Sequence, residues 1–346
     1  MFRKLAKNIP IFPEALKYIY KNAAAIAFIG GSAAILGKLV QVSKREQKII
    51  GTQTGQECAD FVKNSKNFHV TSIPKHGTMT SRRFVEEEET QKEYFAKGAH
   101  SADEFLAEFM VASFLKLVNP YQPESAILQE DLPNNKARYY TLSFKHPDSK
   151  DVENFVLSHG TDKLKQAKEK GLSVEGFGES LAADLLFGKY YDTKYANMIV
   201  VIGKDGSLYF ATIDHERAVL SIVLPKSILT TRPESLLSII RDISITEEAD
   251  IGIINDPRAM EFANVIKTFI DPSKIIEFYK KTSSVDVSPI IDKCNRFASQ
   301  SGIFSQTKCN DYEKHFKDIQ SKAGKFAVER EKEIAASKNS ITRSTR

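Results

Sequence analysis

Apolar and polar positions alternate in short runs between Asn67 and Lys97. The segments FHVTSI and RRFVEEEE, joined by the turn PKHGTMT around Gly77, predict a β-hairpin. KEYFAKG follows as a short strand in which Phe95 and Lys97 share one face and Tyr94 and Ala96 the other, ended by Gly98. The period then changes. Ser101 and Glu104 form an S-x-x-E capping box, and Phe105, Leu106, Phe109, Met110, Phe114, Leu115 and Val118 recur at helical spacing until Asn119-Pro120 stops the run. ESAILQ and ARYYTLSF, on either side of the turn LPNNK, add two more strands.

After Gly171 the pattern is helical through ESLAADLLFGKYY, breaks at the loop DTKYAN, and gives two short strands, MIVVIG and LYFATID, about the turn KDGS. Beyond Pro225 it predicts only helices and connectors, then a polar tail, KNSITRSTR, expected to be disordered. No internal repeat or heptad run interrupts this order. The class is α+β: an antiparallel sheet with one helix, then a mostly helical half.

Composition changes this picture mainly at the N-terminus. Across 346 residues the 42% hydrophobic and 27% charged content is that of an ordinary globular chain, and a net charge of +5 with interleaved signs gives no reason to expect a nucleic-acid partner. From Met1 to Gly51, however, Lys and Arg stand against only Glu14 and Glu46. Within it, NAAAIAFIGGSAAILG (Asn22–Gly37) is uncharged and apolar for about 16 residues, short of the roughly 20 that span a bilayer. Two readings stand: a segment that associates with an anionic membrane through its basic flanks, or a small-residue helix packed on the domain. Cys58, Cys294 and Cys309 cannot all pair with one another and show neither a CxxC nor a Cys/His ligand spacing, which predicts a reducing compartment and no structural zinc. Histidines are scattered, so any metal should be held by oxygen.

The segment with most chemistry is DTKYANMIVVIGKDGSLYFATID, from Asp192 to Asp214. On local grounds alone, Asp192 opens a solvated loop, Lys194 and Asn197 are turn residues and Asp214 ends a strand. Yet Asp192-x-Lys194-x-x-Asn197, an apolar strand, a glycine turn, a second strand and then an aspartate resembles the catalytic loop and metal-binding hairpin of the protein-kinase-like superfamily. Phosphoryl transfer asks the protein for a carboxylate that takes the proton of the attacking hydroxyl and for hard oxygen ligands to magnesium beside the phosphates. The resemblance implies Asp192 as base, Lys194 as neutraliser of the phosphoryl group, and Asn197 and Asp214 as metal ligands.

It implies more upstream. Lys97 corresponds to the strand lysine on the nucleotide phosphates, with a helix glutamate as its partner. Glu108, set among Leu106, Phe109, Met110 and Val111, is preferred to Glu104, which the capping box employs, because a carboxylate there is costly to bury without a cation. Lys75, Gly77 and Thr78 correspond to the phosphate-binding turn. Departures point to the atypical branch, which includes phosphoinositide-kinase-like and HipA-like enzymes and bacterial effector kinases. A single glycine stands in the turn, Tyr190-Tyr191 replaces His-Arg, Asp214-His215-Glu216 stands where D-F-G is usual, and no A-P-E follows. The resemblance thus implies a two-lobed kinase-like fold: residues 1–60 as the basic N-terminal segment, 61–147 as the N-lobe, 148–330 as the helical C-lobe and 331–346 as the tail. ATP and Mg2+ are the implied cofactors, and a protein hydroxyl, a phosphoinositide or another small alcohol the acceptor. The implied location is the cytoplasm, or a host cytosol after secretion, with association to a membrane. A nucleotide-binding pseudokinase serving as a membrane scaffold is the alternative, although a scaffold has no need of a base, a phosphate lysine and two metal ligands in this order.

Overall fold

In a computed structural model of the chain, the described residues are 50–52, 61–72, 82–98, 101–133, 135–189, 193–215, 218, 229–240 and 256–344. The first part runs β1 (Ile50–Thr52), β2 (Val62–Asn64), β3 (Phe68–Ser72), β4 (Arg82–Glu87), β5 (Glu93–Lys97), α1 (Ala102–Val118), β6 (Ser125–Leu132) and β7 (Lys136–Phe144). The second continues with β8 (Ser149–Asp151), α2 (Val152–Ser158), α3 (Gly160–Lys170), β9 (Val174–Glu175), α4 (Phe177–Leu186), β10 (Met198–Ile202) and β11 (Leu208–Thr212). It ends in α5 (Pro233–Leu237), α6 (Pro257–Ile266), α7 (Pro272–Ser284), α8 (Ser288–Ser301) and α9 (Gln306–Ser344).

Among the described residues the first sheet has the order β2-β6-β7-β5-β4-β3, with β1 added to β7, and all its pairings are antiparallel except β2 with β6. Alternation along β5 splits its residues between two environments. Tyr94 and Ala96 join Val85, Leu128, Tyr140 and Leu142 in a small cluster on one face, whereas Lys97 lies beside Thr141 on the other, where α1 packs. Helix α1 begins where the capping box predicts, with Ser101 Oγ accepting from the Glu104 N–H at 3.1 Å. It is apolar nearly all round because it is buried nearly all round, from Phe105 to Val118.

The second part carries a small sheet of order β8-β10-β11-β9 and otherwise helices. Its hairpin turns through Gly206 at φ +92, closed by the Gly203 N–H donating to the Ser207 carbonyl at 2.8 Å. Gly176 enters α4 at φ +83, where a Cβ would run into the Phe210 carbonyl oxygen of β11. One core joins the two parts: Phe105 lies 5.7 Å from Phe297 of α8, and Phe114 lies 4.8 Å from Phe316 of α9, centroid to centroid. This is the α+β order expected from the sequence, a largely antiparallel sheet with one helix followed by a mostly helical half.

Three expectations differ from the structure. β1 places residues 50–52 in the sheet, ahead of the boundary expected at residue 60, and the chain divides after Lys48. α9 continues to Ser344 where a disordered tail is expected from 331, because EREKEIAASK is built from strong helix formers and Arg330 pairs with Glu333 one turn on. Cys294 and Cys309 form a disulfide between α8 and α9. This pair departs from the reducing compartment expected from the cysteine spacing: the turn at Gly302, in the left-handed region, folds the two helices back so that the two Cα atoms stand 5.8 Å apart. Residues 22–37 lie outside the described residues, and no helix among those described is long and apolar enough to cross a membrane.

Candidate active site

Lys97, at the end of β5, is 4% exposed, in a place where an ammonium without carboxylate partners would be strongly disfavoured. Its Nζ lies 3.6 Å from Glu108 Oε2 and donates to Asp214 Oδ1. Glu108 is itself 5% exposed, on the second turn of α1, whereas Glu104 on the first turn has its backbone N–H bound to Ser101 Oγ. A strand, a helix and the end of a hairpin thus bring one cation and two anions together.

The hairpin supplies Asp214 by a short route. The Ile213 N–H donates to the Asn197 carbonyl at 2.8 Å, so the residue that enters β10 and the residue that leaves β11 are adjacent across the ladder. Asn197 ends a 3-10 turn, Tyr195–Asn197, and is 8% exposed. Asp214 has φ +62, in the left-handed region that few non-glycine residues enter and that aspartate tolerates better than most, and its side chain is 21% exposed. Lys194 precedes the 3-10 turn and is half-buried. Its charge acts on Glu153 of α2. Burial first, and then the Asp151 charge, push the Glu153 carboxyl up, and Lys194 pulls it partly back.

Beneath the hairpin's exit lies a polar layer. Lys189, 1% exposed, donates from Nζ to Thr212 Oγ1 at 3.0 Å and to the Ile213 carbonyl at 2.8 Å, with Asp184 Oδ1 at 3.2 Å. Thr212 Oγ1 donates to Asp184 Oδ1 at 2.7 Å. From the other side, Gln122 Nε2 donates to the Thr212 carbonyl at 2.6 Å and stands 3.3 Å from His215 Nε2. Burial, followed by the nearby Lys189 charge, holds His215 well below the ordinary imidazole range, and Asp214 opposes this only in part. Lys189, Asp184 and Gln122 are absent from the residues the sequence singles out. The signal was present: ESLAADLLFGKYY carries an aspartate and a lysine inside an apolar run, the same cue that marks Glu108.

Lys97, Glu108 and Asp214 therefore come together, and the Asn197 backbone is joined to the residue before Asp214, with Lys194 nearby in sequence on the turn that ends at Asn197. Asp192, Lys75, Gly77 and Thr78 lie outside the described residues, as do Tyr190, Tyr191 and Glu216. Among the described residues no group of three or more His, Cys, Asp or Glu side chains could hold a metal ion. An amide oxygen from Asn197 and a carboxylate from Asp214 are hard donors of the type magnesium takes, and a site with two protein donors suits an ion that keeps its waters and binds substrate phosphates. A cavity of about 640 Å³ opens elsewhere, lined by Tyr121, Gln122, Phe144, Ile199, Tyr209 and others, none of them a residue the sequence singles out.

Fold and site together define an α+β protein with a buried lysine held between a helix glutamate and a hairpin aspartate. No protein-family model matches the sequence, and no curated protein matches it. Among solved structures the chain is similar to the Helicobacter pylori proinflammatory kinase CtkA, at 12% identity over 77% of this chain and 98% of that one, with a TM-score of 0.35.

Proposed function

We propose that this chain is an ATP- and magnesium-dependent phosphotransferase of the atypical kinase type, with an alcohol as acceptor. The observation that supports it most is the buried Lys97 ammonium set against both Glu108 and Asp214. In this reading Glu108 fixes the direction of the Lys97 side chain, which meets the nucleotide phosphates when Asp214 turns to the metal. Asn197 and Asp214 would hold magnesium, which when bound supplies positive charge beside the phosphates. Asp192 takes the proton of the acceptor hydroxyl, and Lys194 offsets the charge on the group in transfer. Lys75 and the backbone about Gly77 line the phosphates. The acceptor is a protein hydroxyl, a phosphoinositide or another small alcohol.

Thermal denaturation with and without ATP and magnesium tests this. Nucleotide at a hundred times its dissociation constant should stabilise the fold by about 2.7 kcal/mol. Asp214→Ala should abolish the magnesium-dependent part and phosphate transfer while the fold survives. Transfer by that variant at the parent's rate would sink the assignment, and stabilisation without any transfer by the parent would favour the pseudokinase scaffold.

A further inference from the structure

Lys189 and Asp184 form an ion pair with side chains 0% and 1% exposed, remote from any solvent that would screen it and unused by the reaction proposed above. A buried pair of this kind is weak evidence for stability, since apolar replacements of similar volume often do as well or better. What distinguishes this one is where its hydrogen bonds go. The Lys189 ammonium donates to Thr212 Oγ1 and to the Ile213 carbonyl, with Asp184 Oδ1 3.2 Å away as its counter-ion. Both acceptors belong to the residues immediately before Asp214. Gln122 takes the remaining carbonyl of that stretch, Thr212 O, from the opposite side. The peptide units that lead into Asp214 are thus gripped by side chains from α4, from the residue 189 just beyond it, and from the loop after α1.

The grip answers a need of the backbone. Asp214 stands at φ +62, a conformation that costs a non-glycine residue free energy, less for aspartate than for most, and that its surroundings must hold. The Ile213 N–H, donated to the Asn197 carbonyl, and Gln122 on the Thr212 carbonyl fix the two sides of the 212–213 peptide, and Lys189 on the Ile213 carbonyl fixes the peptide that follows. Swinging either peptide would strand a buried ammonium or a buried amide without a partner, at the full desolvation cost of that group.

We infer that Lys189, oriented by Asp184 and Thr212 and assisted by Gln122, is a positioning residue that sets the Asp214 backbone so that its carboxylate faces Lys97 and the candidate metal site. Its consequence for magnesium rests on the phosphotransferase reading; its effect on the backbone does not. Partners that orient a metal ligand from behind typically contribute 10–100-fold to metal affinity.

Two variants of the full chain remove the device without leaving a buried charge unpaired or changing the volume much: the double substitution Lys189→Met with Asp184→Leu, and Thr212→Val. Thr212→Ser, which keeps the hydroxyl, is the conservative control. Amide hydrogen exchange of residues 213–215 should accelerate at least tenfold in the two variants relative to the parent and to Thr212→Ser, with the helices α7 to α9 unchanged. The magnesium concentration needed for half-maximal binding of adenylyl imidodiphosphate should rise about tenfold or more over the parent. Unchanged exchange at 213–215 overturns the inference, and so does faster exchange with an unaltered magnesium requirement, which would make the pair structural only. A parent that binds no nucleotide with magnesium overturns the phosphotransferase reading instead, and the exchange result then decides the placement of Asp214 by itself. Should the double variant fail to fold, the contrast between Thr212→Val and Thr212→Ser decides alone.

Discussion

At the residue scale the site is governed by desolvated charge. Lys97 at 4% exposure is tolerable because Glu108 and Asp214 both face it, so removing the cation should harm more than the chemistry. Lys97→Met leaves Glu108 buried in an apolar helix without its cation, a defect that costs about 3–5 kcal/mol when a buried pair is broken from one side. Urea denaturation should show that loss, and Glu108→Gln introduced on top should recover part of it; equal stability of parent and Lys97→Met would mean the pair contributes nothing. A second residue gives a pH test away from the site. Glu179, in the first turn of α4, has its carboxyl pushed up chiefly by burial. A carboxyl whose folded value exceeds the unfolded one favours the fold while protonated, and that contribution is lost as pH rises through the folded value. Glu179→Gln, which stays neutral, should therefore be more stable than the parent at neutral pH. The advantage should fade as pH falls below the ordinary value of 4.5, measured as the difference in urea midpoints across that range. A difference independent of pH would place its origin in packing rather than charge.

Elements place these residues, and here packing decides what periodicity alone could not. α1 carries Glu108 and is held from behind by aromatic rings: Phe114 meets Phe316 of α9 at 4.8 Å, and Phe187 closes the same cluster at 5.3 Å from Phe114. Phe316→Ala should cost about 3–5 kcal/mol in chemical denaturation, as for other fully buried phenylalanines, and should weaken any nucleotide stabilisation along with it. A loss below about 1 kcal/mol would mean that α9 does not brace α1. The elements legible in the sequence are those with a strong local signal, namely the alternation of β5, the capping box of α1, and the Lys204–Ser207 turn between β10 and β11. Those that escaped it have weak ones. α3 reads GTDKLKQAKEK and buries only Gly160, Thr161, Leu164 and Ala167, while β8 and β9 contain three and two residues and exist through their pairings with β10 and β11. For the site, Lys97, Glu108, Asn197 and Asp214 were reachable because a family order connects them. Lys189 and Asp184 carry the same cue as Glu108, a charge inside an apolar run, but no family order connects them, and what they hold follows only from the contact of Lys189 Nζ with the Ile213 carbonyl.

On the scale of the whole molecule, the sheet with α1 and the helical half share one continuous core, whereas residues 1–48 form a unit of their own with a distinct charge. That N-terminal stretch, basic but for Glu14 and Glu46 and containing the apolar run Asn22–Gly37, lies outside the described residues, so its role is argued from sequence alone. Each lysine or arginine near an anionic leaflet contributes around 1 kcal/mol, and burial of the Ala, Ile, Phe and Leu side chains in the interfacial region adds to that. The FRKLAKNIPIF segment ahead of the run alternates basic and apolar residues in the manner of a surface-seeking helix. We expect full-length protein to sediment with vesicles containing anionic lipid, to do so less as salt is raised, and to lose this property when residues 1–43 are removed. The truncated chain should keep its melting temperature, because the core described, built on Phe105, Phe114, Phe297 and Phe316, is formed by residues from Phe61 onward. The opposite pair of results is equally clear. A truncated protein that melts earlier or aggregates, with vesicle sedimentation no lower than that of the full chain, would assign the apolar run to packing on the domain and discard the membrane reading.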